Sequence, residues 1–175
     1  SFGEPRLRFN VTERTGEGNE VLATEECSNP YNRRYELYIK NKDFNGDAKQ
    51  IVSLSPNDAL PRLLLLGLGE GPVLAPKARQ AIAALWGNAS KTQAKDMVID
   101  FSAADIHPDC DIAHIVGQEI TTGTYSYTRT LSKPKASTTI KKVTLLVANK
   151  NEVSSAKAAL VSGQAIGQGI NYARE

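Results

Sequence analysis

Three short stretches hold residue types able to do chemistry. In PRLLLLGLGEGP, residues 61–72, Gly67, Gly69 and Gly71 close an apolar run. Glycines between a strand and a helix let backbone N–H groups approach a pyrophosphate, as in dinucleotide-binding folds. Here the glycines alternate, and Pro72 stands where the third glycine of the G-x-G-x-x-G fingerprint belongs. No Gly-Lys-Ser/Thr follows, which excludes a P-loop. The spacing favours a strand-to-loop transition that needs positive φ or close backbone packing. No cofactor-binding residue is assigned.

The second stretch is HPDCDIAH, with His107, Cys110 and His114. These types ligate zinc, His114 falls one helical turn beyond Cys110, and three ligands leave the open position that catalytic zinc uses. No second Cys/His cluster accompanies them and the spacing matches no standard site, so a half-buried cysteine with surface histidines is the favoured reading. No metal ligand is assigned. The third, KPKASTTIKK at 133–142, has four lysines able to touch an anion or another subunit, but reads more simply as a solvated excursion before a strand. A G-x-S-x-G elbow is absent, and the acidic residues lack the clustering of a two-metal hydrolase. Tyr125 and Tyr127 alternate as packing residues of an extended segment. On residues alone, the chain has no catalytic site.

The elements that position these stretches follow from periodicity. Leu7, Phe9 and Val11 alternate with polar neighbours as in a half-buried strand, and 21–24 reads as its return. Around Tyr35 two readings compete: Tyr35, Leu37 and Ile39 alternate as in a strand ended by Asn45 and Gly46, whereas Tyr31, Tyr35 and Tyr38 fit a helix face; the strand is favoured. QIVSL is a strand, SPND a turn, and the unbroken leucines 63–66 predict a strand buried on both faces, in the middle of an α/β sheet. Leu74, Ala78, Ile82, Leu85 and Ala89 fall at helical spacing with Pro76 in the first turn. DMVIDFS is a strand, Asp109 is placed to cap a helix through Ile112, Ile115 and Val116, and KKVTLLVA is the last strand. A long helix from about 152 to the end presents Val153, Ala156, Leu160, Gly163, Ile166 and Ile170 on one side. Alternating strands and helices predict a three-layer α/β domain with a mixed sheet flanked by helices.

Composition agrees with one soluble globular domain. The chain has 175 residues, 41% of them hydrophobic, and a net charge of +2. That charge argues against nucleic acid as a partner, and no stretch reads as a membrane span or secretory signal. Two cysteines, Cys27 and Cys110, make no disulfide framework, so a reducing, cytoplasmic setting is expected. The start at Ser1 suggests a trimmed or processed chain.

The order of pieces after residue 50 resembles the N-terminal domain of the leucyl (cytosol) aminopeptidases, peptidase family M17. The resemblance rests on Gly67, Leu68 and Gly69 at the strand end; Gly117, Tyr125, Tyr127 and Lys133 after the second helix; and Gly163, Gly167, Asn171, Ala173 and Arg174 near the end, where Glu175 replaces the family's aspartate. It covers about 50–175, with residues 1–45 matching poorly. It implies a macro-domain-like fold over 1–150, in which the Gly-Leu-Gly segment is architectural, and a linker helix at 151–175. It also implies a parent that is a hexameric exopeptidase using two divalent metals, zinc or manganese. The metal-binding signature lies in the following domain, so this segment is expected to hold no catalytic, cofactor or metal residue of its own. Its partners would be that domain and other subunits. With its partner domain absent, the C-terminal helix is expected to fray or to pack on another copy. The rival reading is a free-standing macro-like module for ADP-ribose or a related nucleotide.

Overall fold

The computed structural model describes residues 7–13, 44–54, 62–102, 104–125 and 138–174. Its central strand is β5, Lys142–Val147, in which Val143, Thr144, Leu145 and Leu146 are all buried. Such burial on successive residues requires cover on both faces. β1 (Arg8–Glu13) and β4 (Asp96–Asp100) flank it, both parallel to it, giving the order β1-β5-β4. Phe9 and Met97 lie opposite Val143, and Val11 and Ile99 opposite Leu145, so one face of the sheet carries an apolar band.

β2 (Ile51–Leu54) and β3 (Leu63–Leu66) form a separate antiparallel pair, Leu54 opposite Leu63 and Ile51 opposite Leu66. The leucine run is therefore not the middle of the parallel sheet. Only Leu65 of the four is fully buried. Leu64 and Leu66 pack partly against the main core.

Three helices complete the described architecture: α1 (Ala75–Ala89), α2 (Ile112–Gly123) and α3 (Val153–Ala173), the last entered through a 3-10 turn at Lys150–Glu152. α1 starts with proline in its first turn and buries Ala78, Ile82, Leu85 and Ala89, the spacing expected of its inner face. One core joins these residues to Val11, Met97, Ile99, Val143 and Leu145 of the sheet, Ile115, Val116 and Ile120 of α2, and Leu160 of α3. The result is the expected α/β fold: a parallel sheet flanked by helices, mixed in character once the antiparallel pair is included, with a C-terminal helix. α2 is capped by Asp111, not Asp109, because the Asp111 carboxylate accepts from the His114 N–H at 3.0 Å. The expected strands at 21–24 and around Tyr35, and the SPND turn, lie outside the described residues. Among the described residues no helix is long and apolar enough to cross a membrane.

Candidate functional site

The glycine loop after β3 is accounted for by backbone geometry. Gly69 and Gly71 have φ of +70° and +69°, a region that L side chains rarely enter. A Cβ on Gly67 would come within 2.7 Å of Gly46 C and nearer still to Asp47 O. The Gly69 N–H donates to Gly46 O at 2.7 Å, and the Gly67 N–H to Gln50 O at 2.8 Å. The loop thus folds flat against the 46–50 turn, and both physical reasons expected for its glycines are present.

His107, Cys110 and His114 do not form a metal centre. Cys110 is buried, while both histidines are part-exposed. His107 Nδ1 accepts from the Asp109 N–H at 3.2 Å, and the His114 backbone serves the α2 cap. Among the described residues no group of three or more His, Cys, Asp or Glu is placed to hold a metal ion. Burial pushes the Cys110 thiol above its ordinary value of 9.0, Asp111 adding to the effect and Arg79 opposing it. Tyr127 and Lys133 lie outside the described residues. Tyr125 donates its hydroxyl to the Arg174 carbonyl at 2.9 Å, and the Arg174 guanidinium lies over its ring.

Two features appear that sequence reasoning did not assign. The first is a cleft of about 650 Å³ at the carboxyl ends of β4 and β5, where open parallel sheets bind ligands. Asp100 builds its edge: one carboxylate oxygen accepts from both the backbone N–H and the hydroxyl of Ser102, at 2.9 and 2.6 Å, turning the chain off the strand. The turn carries the chain past Ile106 and Cys110 into α2, while β5 leads through Ala148 into α3, and all of these line the cleft.

The second is the contact between α2 and α3. A Cβ on Gly117 would be 3.0 Å from Gln164 N and closer to Leu160 O, and one on Gly167 would be 2.8 Å from Gln118 O. Asn171 Nδ2 donates to Thr121 O at 2.9 Å. The small residues expected to bring another backbone close do so, and that backbone is α2 of the same chain. Of the six residues read as its inner face, Leu160 and Gly163 are buried, Val153, Ala156 and Ile170 half-buried, and Ile166 exposed, its place taken by Gly167. α3 runs to Ala173, and its last turns are bonded to the rest of the domain through the Asn171 amide and the Arg174 carbonyl.

Comparisons with known proteins fall on one group. The profile described as "Cytosol aminopeptidase family, N-terminal domain" matches residues 13–134. A protein of Verminephrobacter eiseniae (strain EF01-2) named "Probable cytosol aminopeptidase" is 31% identical over 141 residues, which is 79% of this chain and 25% of that protein. The chain thus spans about a quarter of that relative's length. Among solved structures, a tomato leucine aminopeptidase mutant, K354E, superposes with a TM-score of 0.62 at 16% identity, over 92% of this chain and 37% of that one. The bottromycin maturation enzyme BotP superposes at 0.59 and 20% identity, over 94% of this chain and 31% of its own; a structure of that enzyme in complex with Mn gives 0.57 and 18%, over 96% and 30%.

Proposed function

The chain belongs to the cytosol aminopeptidase family, peptidase M17, as its N-terminal domain, and from that premise we propose that it is the non-catalytic assembly part of a metal-dependent exopeptidase releasing N-terminal residues from peptides. In this reading the two divalent metals, zinc or manganese, sit in a catalytic domain following α3, and the working enzyme is a cytoplasmic homohexamer. The ADP-ribose alternative finds no support in the relatives matched.

The observation that carries the assembly role is the outward side of α3. Its inner side is docked on α2, yet Val161 and Tyr172, which fall within about 20° of each other around the helix, remain 54% and 74% exposed, and Ile166, on the flank, 46%. Apolar side chains repeated along one helix mark a surface that another body covers, and Tyr172 stands at the end nearest the proposed next domain. α3 would then act as a two-sided element, fixed to this domain by its glycines and to the next by its apolar side.

The test is activity. The isolated chain should not hydrolyse leucine-4-nitroanilide with zinc or manganese added. In a polypeptide continuing into the catalytic domain, Val161→Asp with Tyr172→Asp should lower that activity without lowering the melting temperature of the isolated chain. Metal-dependent turnover by the pure isolated chain overturns the proposal.

A further inference from the structure

We propose that the cleft at the carboxyl ends of β4 and β5 binds a primary amine carried on an apolar body, the chemistry presented by the first residue of an apolar peptide. The inference goes beyond the family reading and needs neither the catalytic domain nor a metal. The cleft's volume, about 650 Å³, lies within the ~300–1,000 Å³ usual for small-molecule sites. Its floor is apolar and well ordered by the core, with Phe101, Ala113 and Leu145 all buried.

Charge selects the ligand. Among the described residues, the groups with a formal charge that line the cleft are the carboxylates of Asp111 and Glu152, both on exposed residues, and no lysine or arginine is among them. Each carboxylate uses one oxygen within the protein: Asp111 Oδ1 accepts from the His114 N–H, and Glu152 Oε1 from the Asn149 amide at 2.8 Å. In both, the second oxygen has no hydrogen bond among the described residues, leaving an acceptor for an ammonium group. Cys110, buried on the same wall, donates its backbone N–H to His107 O at 2.8 Å, while its thiol, with no hydrogen bond among the described residues, adds a polarizable group between apolar floor and acidic rim.

The probe is leucinamide, titrated at millimolar concentration into the 15N-labelled 175-residue chain. Amide shifts are expected at Ile112, Ala113, Ala148 and Ala156 and not at Lys95 and Lys141, which sit at the opposite end of the strands. N-acetyl-leucinamide, which keeps the apolar body and loses the charge, should bind more weakly, and ADP-ribose should leave the cleft unshifted. Glu152→Gln retains the Asn149 hydrogen bond and should weaken leucinamide by roughly two- to fivefold, the change an exposed ion pair carries. Ala156→Trp should fill the cleft and abolish binding; should that variant fail to fold, Glu152→Gln decides. Absence of cleft shifts with leucinamide, equal binding of the acetylated probe, or preference for ADP-ribose overturns the proposal. An inactive parent enzyme would leave it standing, so its failure and that of the family reading are separable.

Discussion

Replacing Gly163 by alanine discriminates between a docked and a free C-terminal helix, because the two pictures predict opposite signs. In a helix interior alanine is favoured over glycine by ~1 kcal/mol, so on an unpacked helix the change stabilises. At position 163 the new Cβ would lie 2.8 Å from His114 C and 3.0 Å from Gln118 N, and nearer still to His114 O. Ordinary contact begins at 3.4 Å. His114 O and Gln118 N are the acceptor and donor of one α-helical hydrogen bond of α2, so no side-chain rotation relieves the clash. The helices must part by on the order of 1 Å in a close-packed contact. Overpacking of this kind typically costs ~1–3 kcal/mol, more where backbone must move. Set against the propensity gain, the net loss is up to about 2 kcal/mol, or up to ~8 °C in melting temperature for a chain of this size. Gly169 is the internal control: it lies on the same helix, and a Cβ there meets nothing within 4 Å. Gly169→Ala should therefore raise stability by up to ~1 kcal/mol. Urea unfolding followed by circular dichroism at one pH reads both variants. A Gly163→Ala protein as stable as Gly169→Ala would refute the α2–α3 docking.

Two further perturbations follow from the same contacts. Asp111→Ala removes the α2 cap and should cost ~1 kcal/mol in urea unfolding, whereas Asp109→Ala should be neutral; the reverse ranking would return the cap to Asp109. Cys110 has its folded value raised above 9.0, so above pH 9.0 the unfolded thiol ionises while the folded one keeps its proton. The unfolded state then binds fewer protons and stability falls with rising pH, and Cys110→Ala should flatten that fall between pH 9 and the folded value. A slope unchanged by the substitution would show that burial of the thiol carries no linkage.

The sequence's local patterns reached most of the elements because they are local. Alternation over residues 7–11 is enough for β1, and apolar spacing from Ala78 to Ala89 is enough for α1. Pairing is not local. A run of four leucines and the run VTLLV are both compatible with a buried strand, and nothing within either says which becomes the centre. The centre is chosen by chain connection: α1 returns the chain to β4, and α2 returns it to β5 between β4 and β1. β3, already paired with β2, stays outside. The cleft was illegible for the same reason, since its walls come from 101–113, 145–148 and 152–159.

The α2–α3 contact was half legible, and the missing half changes what the helix is for. Gly163 and Gly167 announce a close backbone approach, but their counterpart Gly117 is too distant in sequence for any periodicity to connect them. An exposed Val161, Ile166 and Tyr172 on a frayed helix would be only a sticky tail. On a helix clamped by three glycines, by Asn171 to Thr121 and by Tyr125 to the Arg174 carbonyl, the same side chains are held at fixed positions relative to the core. A surface can specify the placement of a neighbouring domain only when its own orientation is over-determined, since each unrestrained rotation must be frozen on association. The interior glycines lower the helix's intrinsic stability, and the fit they permit is what turns its outer side into a defined face.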